Sequence, residues 1–263
     1  MEKIEMLVAS MHQKEDDTLY NKMNIKTDAV IANQCDRFSY YVKITPYGIM
    51  KMVSTSHRGV GKNRNLAFLY STGDILMFTD EDLCYYDDYI EIVNEAFSKL
   101  KDADGIIFDV DYENEKNRNV VSIKKIKRLK IYNSLRYGCF RFAIKKEALL
   151  KANISFSHLF GGGARYQSGE DTIFISDLLK KGLKLYSYPK KIAKMDRSSS
   201  SWFEGYNDKY FFDKGALLAA IFPKTHYLFA FVFACKFKGL SDKHNYFKRL
   251  KLLFLGMNEF KNR

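Results

Sequence analysis

The chain of 263 residues is 46% hydrophobic and 15% aromatic, with 3 prolines and no Ser/Gly-rich tether, which excludes a disordered protein and domains strung on linkers. The net charge of +12 is unevenly placed: residues 1–115 carry 12 Lys and Arg against 21 Asp and Glu, residues 116–151 carry 12 against 1, and residues 224–263 carry 9 against 2. An acidic first half repels a long polyanion and no recognition signature is present, so nucleic acid is not an expected partner.

The N-terminal run MEKIEMLVASM lacks the separate regions of a signal peptide and reads as a first strand over 4–10. Further strands are predicted over 29–33, 49–54, 75–79 and 105–112, with helices over 15–23, 62–70 and 87–100. In the last helix Tyr89, Ile92, Val93, Ala96, Phe97 and Leu100 recur at 3-4 spacing and mark one buried face. This alternation predicts an α/β fold with a mostly parallel sheet covered on both sides. Cys35, Cys84, Cys139 and Cys235 lie far apart without a CxxC pair, giving no disulfide framework and no zinc site, as suits a reducing compartment.

Beyond Tyr112 the pattern changes. Residues 116–138 are polar and basic and read as a surface excursion, and Phe140, Phe142 and Ile144 alternate with Arg141 and Ala143 as in a half-buried strand. A helix over 170–181 ends at Gly182, a strand follows over 183–188, and two or three helices finish the chain. Residues 215–223 and 225–235 are uncharged but interrupted by Lys224, short of the ~20 continuous apolar residues a bilayer span needs. Phe229, Phe231, Phe233 and Phe237 beside Lys236, Lys238, Lys248, Arg249 and Lys251 suit a helix lying in an anionic headgroup layer. They equally suit amphipathic helices packed on the domain.

Three stretches carry chemistry. The strand over 75–79 runs into Asp80, Glu81 and Asp82, which brings carboxylates to the sheet edge where open α/β folds bind ligands. Adjacent acids repel unless a cation neutralises them, and hard oxygen ligands suit Mg or Mn, which leave room for phosphate oxygens. The competing reading is a solvated acidic turn. Upstream, His57-Arg58-Gly59-Val60-Gly61-Lys62-Asn63-Arg64-Asn65 fails the Walker spacing, since Ser56 and Asn63 stand where Gly and Ser or Thr are required. What remains is a glycine-containing turn into a helix, whose Arg64 either forks onto phosphate or is an ordinary first-turn surface residue. Downstream, Gly161-Gly162-Gly163 leads to Gly169-Glu170-Asp171 at a helix start. Acids there are favoured by the helix dipole alone, or they supply a general base under a mobile loop.

The order of these pieces resembles the family-2 inverting glycosyltransferases of the GT-A fold, especially small enzymes of bacterial surface-polysaccharide (O-antigen or capsule) assembly. The resemblance rests on Arg64, Asn65, Ala67, Gly73, Asp74 and Asp80-Glu81-Asp82, on Glu170-Asp171, and on Ser201-Trp202-Phe203-Glu204-Gly205-Tyr206, and it covers roughly residues 3–215. It implies a GT-A-type, Rossmann-like, mostly parallel sheet flanked by helices. The GT-A domain would fill 1–215, its donor-binding half ending near residue 115 and its acceptor half following, with a C-terminal helical extension over 216–263. The implied reaction is metal-dependent inverting transfer from a nucleotide-diphosphate sugar, with uridine the expected nucleoside, to a lipid-linked oligosaccharide. The implied location is the cytoplasm, peripheral on the inner face of the bacterial cytoplasmic membrane.

By the same resemblance, Asp82 and Asp80 would hold a divalent Mn or Mg on the diphosphate, with Asp80 also near the ribose, and Arg64 would anchor the nucleotide. Asp171 would deprotonate the acceptor hydroxyl with Glu170 alongside. The usual acidic run after the second strand is replaced by Ala32-Asn33-Gln34-Cys35-Asp36, so base recognition falls to Asn33 or Asp36. A late metal-binding His has no match, and Asp196 is the available substitute. Two rival readings stand beside this one. A nucleotidyltransferase would carry a Gly-rich, Arg-containing loop where Met11-His12-Gln13-Lys14 stands, and a non-catalytic membrane or nucleic-acid binding protein would leave both acidic motifs idle.

Overall fold

The computed structural model describes residues 2–113, 121–196, 205–236 and 245–263. Strand β1 (Ile4–Met11) is buried along all but its last residue, and β2 (Asp28–Gln34), reached through the short helix α1 (Thr18–Lys22), is buried throughout. Such continuous burial belongs to parallel strands covered on both faces. A hairpin of β3 (Ser39–Thr45) and β4 (Gly48–Thr55) follows, then α2 (Val60–Leu69), β5 (Ile75–Asp80), β6 (Leu83–Tyr85), α3 (Tyr89–Lys99) and β7 (Gly105–Glu113). The second half holds β8 (Lys127–Arg128), α4 (Ile131–Ser134), β9 (Phe142–Lys145), α5 (Lys146–Ala152), α6 (Glu170–Lys180) and β10 (Leu185–Asp196). Helices α7 (Asp208–Ile221), α8 (His226–Lys236) and α9 (Tyr246–Lys261) close the chain.

The strands form one ten-stranded sheet in the order β3-β4-β2-β1-β5-β9-β7-β10-β6, with β8 on β10. The β4-β2-β1-β5 block is parallel, and β9 runs antiparallel between β5 and β7. One apolar layer packs α1 and α3 on the sheet through Leu19, Tyr20, Tyr89 and Val93. The opposite layer packs α2, α5 and α6 through Ala67, Leu149, Phe174 and Leu178. This is the α/β architecture with a helix-flanked, mostly parallel central sheet that the alternation predicts, and three C-terminal helices follow it.

Two expectations are corrected. Phe140, Phe142 and Ile144 do not form a half-buried face: Phe142, Ala143 and Ile144 are all buried, because β9 lies inside the sheet with a helical layer on each side, and Arg141 is also buried, paired with Asp109. Nor is the basic stretch after Tyr112 a plain surface excursion. Within its described part, 121–138, Ile123, Leu129 and Tyr137 enter the core, and β8 adds to the sheet. The edge strand β3 has no counterpart among the expected strands. Its Tyr40, Val42 and Ile44 point to solvent while Tyr41 packs inward, so alternation there does not sort apolar from polar.

The C-terminal helices pack on the domain. Helices α7 and α9 cross backbone to backbone at paired glycines. A Cβ on Gly215 would lie 2.0 Å from the Leu253 carbonyl oxygen, and one on Gly256 would lie 1.9 Å from that of Phe212. Beneath them Ala216, Leu217 and Ile221 of α7 meet Phe160 and Tyr166 of the glycine-rich loop.

Candidate active site

The carboxyl ends of β1, β2, β4 and β5 open on one edge of the sheet, and side chains from distant segments fasten them together. Asn63 donates from Nδ2 to the Ser10 carbonyl at 2.9 Å, clamping α2 onto the end of β1. Asn65 imitates a backbone partner for Phe156, donating to its carbonyl at 2.9 Å and accepting from its N–H at 2.8 Å. At the opposite edge, where β1 and β5 begin, Asp74 accepts the Lys3 N–H at 2.8 Å, and Glu5, fully buried, accepts the Gly73 N–H at 2.7 Å. Several residues of the Arg-Asn…Gly-Asp block are therefore joinery of the fold, with Gly73 and Asp74 at the edge away from the site.

At the centre lies Arg64, only 2% exposed. Its Nη2 donates to both Asp80 oxygens at 2.9 and 3.2 Å. Its Nη1 donates to Asp171 in a short charge-assisted contact and to Glu170 at 3.4 Å. The guanidinium carbon sits 5.3 Å from the Phe156 ring centroid, and Phe156 stacks on Phe174 of α6 at 3.8 Å. One buried cation thus joins the acid at the end of β5 to the two acids that open α6. Arg64 is neither a surface residue nor aimed outward at a phosphate, because both terminal nitrogens are engaged by carboxylates.

Burial raises the Glu170 carboxyl to about 7, with Asp171 adding to the rise and Arg64 opposing it. Burial likewise pushes Asp80 above the usual carboxylate range against the pull of Arg64. Groups displaced toward neutrality inside a cleft are candidates for proton transfer. Lys214 of α7 donates to Ser168 Oγ at 3.1 Å, and burial lowers its ammonium while Glu170 and Asp213 pull the other way. No sequence signal marked Lys214, the second of two lysines in α7.

The remaining expected residues take varied positions. Asn33 is fully buried and internally committed. It accepts the Gln13 N–H at 2.9 Å and donates to the Gln13 carbonyl at 3.0 Å and Ser54 Oγ at 3.1 Å. Its amide shapes the loop after β1 and is not presented to a base. Asp36 is exposed beyond β2 and ion-paired with Arg58, which also donates to the Cys35 carbonyl at 3.1 Å. Glu81 accepts from Gln13 Nε2 at 2.7 Å and from the Met11 N–H at 3.1 Å, tying the acidic turn to β1. The residues Ser198–Ser201 and most of the Ser201–Tyr206 stretch lie outside the described residues.

The two glycine-rich stretches meet. Gly59, at φ 117°, caps α2, and its N–H is taken by Gln34 Oε1 at 2.8 Å. The next N–H, of Val60, donates to the Gly162 carbonyl at 3.0 Å. The cap N–H and the first donor of α2 are therefore satisfied within the protein.

Asp82 leads into β6, which pairs with the end of β10, so the Asp196 N–H donates to the Asp82 carbonyl at 3.1 Å. Among the described residues no group of three or more His, Cys, Asp or Glu is arranged as a closed metal cage. A magnesium-type ion needs no such cage, since one or two carboxylates suffice when substrate phosphates and water complete the shell. The hard-oxygen pair Asp80 and Asp82, with Asp196 adjacent through the backbone, fits that donor chemistry.

Residues 26–152 match the family model described as Glycosyl transferase family 2. The matched span holds Arg64 and Asp80–Asp82 and stops before Glu170. Among solved structures, TarS of S. aureus superposes with a TM-score of 0.64 at 14% identity, over 92% of this chain and 46% of that chain. This chain therefore spans about half the length of that protein. TarS 1-349 in complex with UDP gives 0.60 at 14% identity over 99% and 71%, and its complex with UDP-GlcNAc gives 0.58 at 13% over 99% and 72%. A comparison with curated proteins finds no match. The likeness to these structures, at 13–14% identity, is one of fold.

Proposed function

We propose that this chain is a metal-dependent, inverting glycosyltransferase that moves a sugar from a UDP-sugar to a lipid-linked oligosaccharide. The observation that carries the reading is the convergence of Asp80, Glu170 and Asp171 on the single buried Arg64. Two acidic motifs ninety residues apart, each weak alone, form one site. The nucleotide assignment is supported by the UDP and UDP-GlcNAc complexes of the structural neighbour.

In this reading Asp171 is the general base for the acceptor hydroxyl. Arg64 holds it in place through Nη1, acting as a positioning residue and not as a nucleotide anchor. Asp80 and Asp171 engage different nitrogens of the guanidinium, so donor-side and acceptor-side carboxylates are held apart by its width. That separation suits attack from the face opposite the leaving group. Glu170, raised to about 7 by burial, is able to share a proton with its neighbour. Asp82 with Asp80 would hold Mn or Mg, which when bound supplies positive charge against the nucleotide diphosphate. Asp36, exposed at the end of β2, is the remaining candidate for contact with the base.

Calorimetric titration with UDP, in the presence and absence of Mn, separates these roles. Asp82→Asn should lose the metal-dependent part of UDP binding, whereas Asp171→Asn should bind UDP normally and lose transfer and donor hydrolysis. Metal-independent UDP binding by the unaltered protein would remove the metal assignment, and full turnover by Asp171→Asn would remove the base.

A further inference from the structure

Although α7 and α9 pack on the domain, the outer side of the α8–α9 pair is uncovered. Helix α8 turns Ala230 and Ala234 inward, both fully buried, and leaves Leu228 64%, Val232 63%, Phe231 44% and Tyr227 43% exposed. These four follow 3-4 spacing and form one stripe along the helix. From Thr225 to Cys235 the segment holds no charged residue. Helix α9 extends the surface: Phe254 lies 5.3 Å from Tyr227 and 5.8 Å from Phe231 between ring centroids, and Phe247 and Leu255 are exposed at 78% and 48%.

Among the described residues, the charges that flank α8 and stand on this side of α9 are mostly lysines, and Lys248 of α9 pairs with Asp208 of α7 at 3.0 Å. Lys224 and Lys236 flank α8, and Lys251 and Lys261 stand exposed on α9. The acid of α9, Glu259, faces the domain, where it binds Arg165 and Tyr166. An apolar stripe edged by lysines is complementary to an anionic lipid surface. Docking against a second copy would set lysine against lysine. No described helix is long and apolar enough to cross a membrane, and an 11-residue α8 suits a position in the headgroup plane.

We infer that the outer face of α8 and α9 seats this protein on an anionic membrane surface, with Leu228, Phe231 and Val232 entering the acyl boundary and the lysines meeting the headgroups. The seat is mechanically joined to the candidate active site. Glu259 of α9 holds Arg165 and Tyr166, Phe260 packs on Phe160 at 5.7 Å, and Asp213 of α7 accepts the Gln167 N–H at 2.9 Å. The loop held in this way runs directly into Glu170 and Asp171. Resting on the proposed acceptor class, the same unit would bring the catalytic mouth to a lipid-borne acceptor.

The test is co-sedimentation of the full chain with phosphatidylglycerol-containing vesicles and with pure phosphatidylcholine vesicles. Binding to the anionic vesicles only, weakened by salt and reduced at least about tenfold in Leu228→Gln/Val232→Gln, is the expected result. Lys224→Glu/Lys236→Glu should weaken binding while leaving the apolar stripe intact. UDP binding should be unchanged in both variants, which separates failure of the seat from failure of the transferase reading. Absence of binding to anionic vesicles, or binding indifferent to both variants, would overturn the inference. So would a dimer in light scattering that Leu228→Gln/Val232→Gln dissolves, because the stripe would then belong to a second copy.

Discussion

Replacing Glu170 by Gln should make the protein more stable above neutral pH while disabling its chemistry. Gln has the size of a protonated Glu, so the substitution freezes the neutral state. Burial, together with Asp171 and against Arg64, moves this carboxyl from an ordinary 4.5 to about 7. Below about pH 4.5 the group is protonated in folded and unfolded chains alike. Between there and about pH 7 only the folded chain keeps the proton, so stability falls as pH rises through that window. A displacement of this size corresponds to about 3 kcal/mol once the group is fully ionised. Glu170→Gln should therefore match the unaltered protein near pH 4.5 and exceed it by roughly that amount at pH 8.5, a melting difference of roughly 5–10 °C. Thermal unfolding across pH, in a metal-chelating buffer, reads this directly. A Gln variant less stable than the parent at pH 8.5 would mean that the 3.4 Å contact with Arg64 outweighs the cost of burial, and the argument would fail.

Two further substitutions test the framework. Gly256→Ala would gain about 1 kcal/mol by helix propensity alone, yet its Cβ would lie 1.9 Å from the Phe212 carbonyl oxygen. We expect a net loss of about 1–3 kcal/mol in urea unfolding, and an unchanged or raised midpoint would refute the tight crossing. Asn33→Ala strands buried partners on Gln13 and Ser54 and should cost about 1–3 kcal/mol. Because Asn33 acts through the loop after β1, affinities for UDP and CDP should fall by the same factor, and a selective loss for one nucleotide would restore Asn33 as a base reader.

The parallel strands were legible because strands buried on both faces are continuous apolar runs, and each of the five strands expected before residue 113 exists, within a residue of its bounds at either end. The edge strand β3 was not, since Tyr40, Val42 and Ile44 are apolar yet exposed. Strand β10 runs past its expected end at 188 to Asp196, because Pro189 and the lysines after it sit at register shifts against β7. At the site, the two acidic motifs could be read from sequence as unusual charge at the ends of a strand and a loop. The destination of Arg64 could not, because its partners stand 16, 106 and 107 residues away and nothing local distinguishes a guanidinium facing phosphate from one facing carboxylate. Asn33 misled for a related reason: a buried amide that shapes a loop and an amide that reads a base look alike until the loop is folded.

The span bridged by Arg64 also bears on how the molecule comes together. Closing a loop of 107 residues is entropically costly, and contacts of such separation form late. During synthesis Arg64 and Asp80 emerge as a local pair long before Glu170 and Asp171 leave the ribosome. The pair thus serves first as an internal counter-ion for a nascent sheet edge, and only the arrival of α6 brings Glu170 and Asp171 onto it. On the proposed roles, catalytic competence becomes a readout of complete folding, and a chain arrested before α6 would hold the edge with Asp80 but lack the proposed base.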